Sequence, residues 1–415
     1  MSSDLSASSL EVGATGLQEV SGKKPEWEVA DIIRLHAKPY CQDHPLPLSH
    51  LKVMHSIKTC RTSYLGGHVE QCDSCGFERY AYNSCRNRHC PKCQALTKAR
   101  WLQDRTSELL PAGYFHTVFT IPHELNPLAL RNKKTVFGIL FKAASETLME
   151  FGKNNLGGQP GFLAILHTWD QKLMDHFHLH CVVAGGALSF DKSRWVSARK
   201  NFLFSVKALS IVFRAKFTEH LIRAFSKGNL IFPGTISLLN NEKEFLLFVN
   251  GIRQKDWVVY CKKPFAGPQQ VLQYIGRYTH RVAISNQRIV NIDSGNVTFT
   301  YRDRRNNNTL KTMTLPAKEF IRRFLLHVLP DGFVRIRHFG FLANRYKKEN
   351  IQRCRDLIGI PQQIPETTEK NSQELMLEVT GIDITVCPCC KTGSMVVIEE
   401  IQAQWKGKPQ YMDTS

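Results

Sequence analysis

The stretch MDHFHLHCVVAGG, residues 174–186, sets three histidines at alternate positions and runs on into an apolar segment. In an extended strand alternate side chains share a face, so His176, His178 and His180 point one way and Phe177, Leu179 and Cys181 the other. Neighbouring members of the trio lie about 6.6 Å apart, close enough for two imidazoles to share an ion, whereas the whole trio spans about 13 Å. A third ligand therefore has to come from an adjoining strand. GFLAILHTW (161–169) offers one if it forms an antiparallel hairpin with HFHLHCVVA around DQKLMD. Symmetric pairing then sets Ile165 opposite His180, His167 opposite His178 and Trp169 opposite His176. A slip by one residue turns His167 to the other face, leaving Asp170 and Asp175 in the turn as carboxylate alternatives. Imidazole clusters with open positions suit Mn²⁺, Mg²⁺ through water, or Zn²⁺, and an ion so held can polarise a phosphodiester. The competing account is a row of hydrogen-bonded sheet histidines; an HLH pair with an opposed histidine favours metal.

A second constellation is VEQCDSCGFERYAYNSCRNRHCPKCQ, with Cys72 and Cys75 in one CxxC and Cys90 and Cys93 in another. Each CxxC brings two thiolates from one turn to the same ion, and two such turns complete a tetrahedron, so this spacing predicts a structural zinc site. Cys85 and His89 lie between the pairs and read as packing or DNA-facing residues, with replacement of a ligand or service to a second ion as the alternatives. Arg86, Arg88 and Lys92 give the knob a positive surface suited to phosphates. Near the chain's end CPCC offers Cys387 and Cys390 as a further CxxC with no second pair after it, the half of a decayed or shared site.

In QYIGRYTHRVAISN, Tyr274 and Tyr278 stand four apart, one helical turn from each other on one face. A phenol with pKa near 10 is a weak nucleophile at neutral pH, but nearby cations favour the phenolate, and attack on phosphorus stores the cleaved bond as a phosphotyrosine. Arg277, His280 and Arg281 supply such charge. By themselves, tyrosines at this spacing are more commonly a packed stripe.

The bulk composition fits these readings. The chain has 415 residues, 42% hydrophobic and 22% charged, which suits several folded domains, and a net charge of +19 that attracts polyanions, with nucleic acid the leading partner. No apolar run is long enough to span a membrane and the N-terminus lacks an export pattern, so the expectation is a cytoplasmic protein whose 13 cysteines are thiols or metal ligands.

These groups need elements to hold them. Residues 1–25 read as a disordered leader, and 26–110 as a small helical, zinc-binding domain with helices over about 26–38, 48–63 and 95–110. From 111 to 304, strand-like stretches at 114–121, 161–169, 176–185 and 257–263 alternate with helical ones at 128–150, 205–227, 241–254 and 271–283, predicting an α+β core with a largely antiparallel sheet. RIVNID and VTFTYRD around SGN read as a hairpin. Residues 305–359 form a basic extension in which Arg335 and Arg337 alternate on a strand and face either phosphate or solvent. Residues 360–376 look like a polar linker, and 360–415 as a whole like a linker with a small cysteine-containing segment.

The knob, the HLH strand and the later tyrosine helix together resemble the two-tyrosine HUH transposases of rolling-circle insertion sequences, which carry an N-terminal transposase zinc-binding domain. The stretches HVEQCDSCGFERYAYNSCRNRHCPKC, YFHTVFTIPHEL, ILHTWDQKLMDHFHLHCVVAGGALS and YIGRYTHRVAISNQRI carry the likeness, which runs from about residue 30 to 345. The resemblance implies an HUH nuclease core of largely antiparallel sheet, with YFHTVFT its first strand. It implies that His178 and His180 bind a catalytic Mg²⁺ or Mn²⁺, and that Tyr274 and Tyr278 nick single-stranded DNA and keep its 5′ phosphate. It does not identify the third ligand, so His167 rests on strand pairing alone. Phe115, Trp169 and Tyr301 are candidate stacking platforms for unpaired bases, with core packing the favoured alternative for each. Two other readings remain: a non-enzymatic zinc-dependent DNA-binding regulator, and a plasmid-type rolling-circle replication initiator.

Overall fold

The computed structural model describes residues 25–262, 270, 271, 276, 282–303, 306–359 and 370–404. Helices α1 (Val29–Asp43) and α2 (Leu48–Thr59) come first, then the hairpin β1 (Gly67–Cys72) and β2 (Glu78–Tyr82), and α3 (Gln94–Thr106). The central part comprises β3 (Tyr114–Thr120), α4 (Asn126–Arg131), α5 (Lys133–Phe151), β4 (Gly158–Trp169), β5 (Asp175–Ser189), β6 (Trp195–Ser197), α6 (Val206–Ser226), α7 (Glu242–Arg253) and β7 (Val259–Lys262). Beyond residue 282 follow β8 (Ile289–Asp293), β9 (Asn296–Asp303), β10 (Thr309–Pro316), α8 (Ala317–Leu326), β11 (Ile336–Phe339), α9 (Lys347–Ile358), α10 (Ser372–Thr380) and β12 (Met395–Ile401).

The architecture is α+β, as expected. The main sheet has the order β11-β4-β5-β3-β7, with β6 on the far end of β5, and all its pairings are antiparallel. Period-two alternation gives the sheet two different faces. Phe115 and Phe119 of β3, Phe162 of β4 and Phe177 and Leu179 of β5 fill one face against α5, α6 and α7. Each such side chain removed from water contributes about 1.5–3 kcal/mol. The opposite face presents Tyr114, Leu163, Ile165, Val182 and Ala184, packed with Trp101 of α3, Val271 and Ile351 of α9. The histidines belong to this second face. Because both faces are covered, β4 and β5 are buried along most of their length.

A second core joins α1 and α2 to the smaller sheet β10-β9-β8 and to α8, through Ile32, Ile57, Phe299 and Phe320. RIVNID and VTFTYRD form the β8–β9 hairpin, and β10 extends it into a three-stranded sheet. The third sheet, β12-β1-β2, joins the two ends of the described chain. The cysteine spacing gives no sign of it, because β12 finds its partner more than 300 residues upstream. Within the expected polar linker, α10 begins at Ser372. Its start is marked by a capping box in which Asn371 accepts the Glu374 backbone N–H and the Glu374 carboxylate accepts the Asn371 N–H.

The main sheet closes on α9 through a tight approach at Gly340. Its φ is +65°, and a Cβ there would fall 1.6 Å from the Pro160 carbonyl oxygen. Gly359, the left-handed C-cap of α9 with φ +80°, has open space around it. Gly340→Ala should therefore lower stability in urea by more than Gly359→Ala, which bears only the left-handed backbone cost of about 1–2 kcal/mol. Equal losses in the two variants would refute the close approach.

Candidate metal centres

The β4–β5 register is the one that brings histidines together. Ile165 stands opposite His180 and His167 opposite His178, as expected. Trp169 instead pairs with Asp175, because the ladder slips by one residue at Thr168. The turn explains the slip: the Asp170 carboxylate accepts the backbone N–H groups of Lys172 and Met174, and Leu173 takes a left-handed φ of 61°. Asp170 thus works as a turn cap rather than a ligand. His176 is exposed and lies outside the cluster formed by His167, His178 and His180, whose donor nitrogens all fall within 4.8 Å of one another.

Those three imidazoles are nearly fully buried, at 4%, 8% and 8% exposure. The Nε2 atoms of His178 and His180 are 3.0 Å apart, and His178 Nδ1 lies 3.0 Å from the His176 carbonyl. Donation from Nδ1–H to that carbonyl leaves the His178 Nε2 lone pair directed at the cluster. His180 Nδ1 is 2.8 Å from Nε2 of His116, a residue on β3 that lies diagonally across the ladder from it. Burial, helped by the Lys262 charge, pushes the His116 imidazole down to about 4, so it is neutral and can accept the His180 Nδ1–H. That tautomer frees His180 Nε2 as well. A histidine ligand oriented by a neighbour at its other nitrogen is the common form of a protein metal site, and three imidazoles leave coordination positions open. The donor set fits a divalent ion. His116 lies within YFHTVFT, and its sequence signal is its place on the same strand face as Val118, two residues away and the partner of His180.

Tyr274 and Tyr278, with Arg277, His280 and Arg281, lie outside the described residues. Their described neighbours are informative. Val271 is fully buried in the cluster that contains Ile165 and Val182, on the histidine face. Gly276 meets α3 so closely that a Cβ would fall 2.8 Å from a Leu102 methyl and 2.9 Å from Lys98 Cε.

The cysteines assemble differently from expectation. Cys72, Cys75, Cys90 and Cys93 do not form one site: Cys90 and Cys93 join Cys60 and Cys85, while Cys72 and Cys75 meet Cys387 and Cys390. The β1–β2 hairpin is the reason. Cys60 and Cys85 flank its base, Cys72 and Cys75 occupy its tip, and six extended residues separate base from tip by about 20 Å. At the base, Cys93 Sγ lies 3.5 Å from Cys60 Sγ and 3.6 Å from Cys85 Sγ. These separations match the edge of a zinc tetrathiolate, about 3.8 Å for a Zn–S bond near 2.3 Å. Cys60 was missed because it stands alone in KTCRT, outside any CxxC. Cys60, Cys90 and Cys93 are built into the second core, so a zinc ion here is structural.

Several expected phosphate contacts are turned inward. Arg88 donates to the carbonyls of Phe333 and Pro330, and Arg335 is only 6% exposed. His89 is packed among Arg88, Arg335 and Lys133, and burial with those charges holds it neutral. Lys92 pairs with Glu28 at 2.5 Å, and the Arg337 guanidinium stacks 4.1 Å from the Phe141 ring centroid. Arg86 is exposed. Of the stacking candidates, Phe115 is in the core, Trp169 stacks on His167 at 5.2 Å, and Tyr301 lies under the Lys172 ammonium at 5.0 Å.

Comparison with known proteins supplies an independent line. Residues 32–121 match the family described as "Transposase zinc-binding domain", and residues 161–350 match the family described as "Putative transposase". The chain is 48% identical over 393 residues to "Putative transposase y4qJ" of Sinorhizobium fredii (strain NBRC 101917 / NGR234), covering 94% of this chain and 98% of that protein. It is 28% identical over 289 residues to "Transposase for insertion sequence element IS801" of Pseudomonas savastanoi pv. phaseolicola, covering 69% and 68%. No solved structure matches. The first match contains all four base cysteines; the second contains His167, His178, His180 and both tyrosines.

Two outcomes follow from this geometry. His116→Phe keeps an apolar-compatible ring but removes the acceptor that orients His180; isothermal titration with Mn²⁺ should show affinity lower by about 10–100-fold, and unchanged affinity would remove His116 from the site. Burial also pushes His50, His327 and His338 down to about 4 from an ordinary 6.5. Between those values the unfolded chain binds protons that the folded one does not, so stability should fall as pH drops through this window and level off below it. Urea midpoints that stay flat from pH 7 to 4.5 would contradict the burial of these rings.

Proposed function

The chain belongs to this transposase family, and from that premise we propose that it nicks and rejoins single-stranded DNA at insertion-sequence ends through a covalent 5′-phosphotyrosine intermediate, in a rolling-circle type of transposition. The observation that carries the reading is the convergence of His167, His178 and His180 on one buried point of the main sheet. A structural role would need only hydrogen bonds among the rings, whereas three donors with His116 behind them make an oriented ligand set.

The imidazoles would hold Mn²⁺ or Mg²⁺; nitrogen donors favour Mn²⁺, since Mg²⁺ prefers oxygen ligands. When bound, such an ion supplies Lewis acidity to the oxygens of the scissile phosphate. The remaining chemistry belongs to the chain. A phenolate oxygen of Tyr274 or Tyr278 attacks phosphorus, the bond from phosphorus to the 3′ oxygen breaks, and the departing oxygen takes up a proton. The 5′ phosphate remains on the tyrosine as a diester, so attack by a 3′ hydroxyl can later reverse the linkage with no nucleotide cofactor. Two phenols permit one end to be held while the other is cut. Arg277, His280 and Arg281 are the cations assigned to favour phenolate and to grip phosphate. Support for bringing this helix to the histidines comes from Val271, which packs on the histidine face, and Gly276, which lies against α3.

DNA is drawn by the net charge of +19 and, on the knob, contacted by Arg86; Arg88 instead donates to backbone carbonyls and Arg335 is buried. A zinc ion at Cys60, Cys85, Cys90 and Cys93 fixes the base of the knob against the second core. Among the described residues no helix is long and apolar enough to cross a membrane.

The decisive test incubates the full chain with labelled single-stranded oligonucleotides from element ends and Mn²⁺, and resolves protein–DNA adducts on denaturing gels. The wild type should form an adduct, Tyr274→Phe/Tyr278→Phe none, and His178→Ala far less at limiting metal. An adduct formed by the double variant at the wild-type rate sinks the tyrosine assignment. Salt-sensitive duplex binding with no cleavage product in any variant would favour the regulator reading.

A further inference from the structure

We propose that the chain holds a second structural zinc ion, bound by Cys72 and Cys75 at the hairpin tip and by Cys387 and Cys390 near the other end of the chain. This site lies apart from the nuclease chemistry, and Cys387 and Cys390 fall outside the matched zinc-binding region, which ends at residue 121. Cys72 Sγ is 3.7 Å from Cys390 Sγ and Cys75 Sγ is 3.7 Å from Cys387 Sγ; all four sulfurs fall within 4.8 Å of one another. A tetrathiolate zinc site has sulfur–sulfur edges of about 3.8 Å, and a disulfide would need about 2.05 Å.

The backbone is arranged for thiolates. Ser74 and Cys75 direct N–H groups at Cys72 Sγ, Cys389 at Cys387 Sγ, and Gly393 at Cys390 Sγ, at 3.3 to 3.5 Å. Such donors stabilise negative charge on sulfur and give a neutral thiol much less. The two knuckles also interlock: the Asp73 carboxylate accepts the Ser394 N–H, and a Cβ on Gly393 would fall 2.4 Å from Cys72 Sγ. Only glycine leaves room for the sulfur there.

The rest of the junction explains why an ion is needed. The β12 strand lies on β1 but buries little, with Val396, Val397 and Ile398 each at least half exposed. Arg79 adds a hydrogen bond to the Ile384 carbonyl. A segment with so small a core is typically stabilised by metal rather than by apolar burial. The consequence reaches further, because the same segment carries α10, which packs on α3, and α3 in turn abuts Gly276. The second zinc thus clasps the late part of the chain to the knob.

The test uses the full chain, purified and then reconstituted with Co²⁺, because thiolate-to-cobalt charge-transfer absorption reports cysteine sites and is silent about the histidine cluster. Wild type should show the intensity of two tetrathiolate sites, and Cys387→Ser/Cys390→Ser half of it, with one zinc fewer per chain by elemental analysis and new protease cuts confined to residues 360–404. Should that variant fail to fold, the wild-type intensity decides by itself: one site's worth overturns the proposal. Full intensity retained in the folded double variant overturns it equally.

Discussion

Everything at the histidine site depends on the register of two neighbouring antiparallel strands. Side chains alternate with a period of two, so a slip of one residue between β4 and β5 would send His167 into the phenylalanine core and leave His178 and His180 with no third donor. The register is held from three sides. Phe162, Phe177 and Leu179 lock one face against the helices, β3 and β11 clamp the outer edges, and Asp170 closes the turn with two backbone hydrogen bonds. The slip at Thr168 falls just beyond His167, between the last cluster residue and the turn. His176, on the turn side of the slip, is exposed, while the other three stay together.

Much of this was legible in the sequence, for a local reason. Strand pairs joined by a short turn can be aligned by counting outward from that turn, and the count placed His167 against His178 correctly. The same counting failed for Trp169, because the turn capped by Asp170 takes five residues where a symmetric hairpin would take six, and β5 absorbs the extra residue as a bulge opposite Thr168. The α+β class and the order of long elements were also readable from hydrophobic periodicity. What could not be read was pairing between remote segments. The CxxC at 72–75 and that at 90–93 carry the spacing of a single zinc site, yet a hairpin stands between them, and each finds partners the spacing rule does not mention: the solitary Cys60 and Cys85 for one, and the distant Cys387 and Cys390 for the other. His116 escaped notice for a similar reason, since a lone histidine on a strand has meaning only once its neighbour across the ladder is known.

Charge is the second place where sequence and structure part. Basic residues in a basic protein invite assignment to phosphate, but a guanidinium can equally serve the protein's own carbonyls. Arg88 bonds Phe333 and Pro330, and Lys133 bonds Leu326 and Val328 at the C-terminal end of α8, where the helix dipole favours a cation. Burial lowers the Lys133 ammonium to about 8, and His89 stays neutral among the three cations around it. Concentrating positive charge in a buried junction is costly, and the carbonyls that Arg88 and Lys133 donate to offset part of it. This junction joins the knob to the main sheet, so these cations serve the packing of the two parts.

The helix α3 then gains a meaning that neither its composition nor its length suggests. It starts at Cys93, a ligand of the base cluster, so its first turn is anchored wherever that zinc ion is bound. Its middle presents Lys98 and Leu102 to Gly276, on the segment between the two tyrosines. Its flank receives α10, tethered through the hairpin tip. A rod held at one end and along one side thus ties Gly276 to both cysteine clusters. Glycine at 276 lets the Leu102 and Lys98 side chains lie against its backbone, and a larger residue there would require those side-chain ends to shift. The cysteine sites, remote from the imidazoles in sequence, are by this route joined through α3 to the packing of Val271 and Gly276.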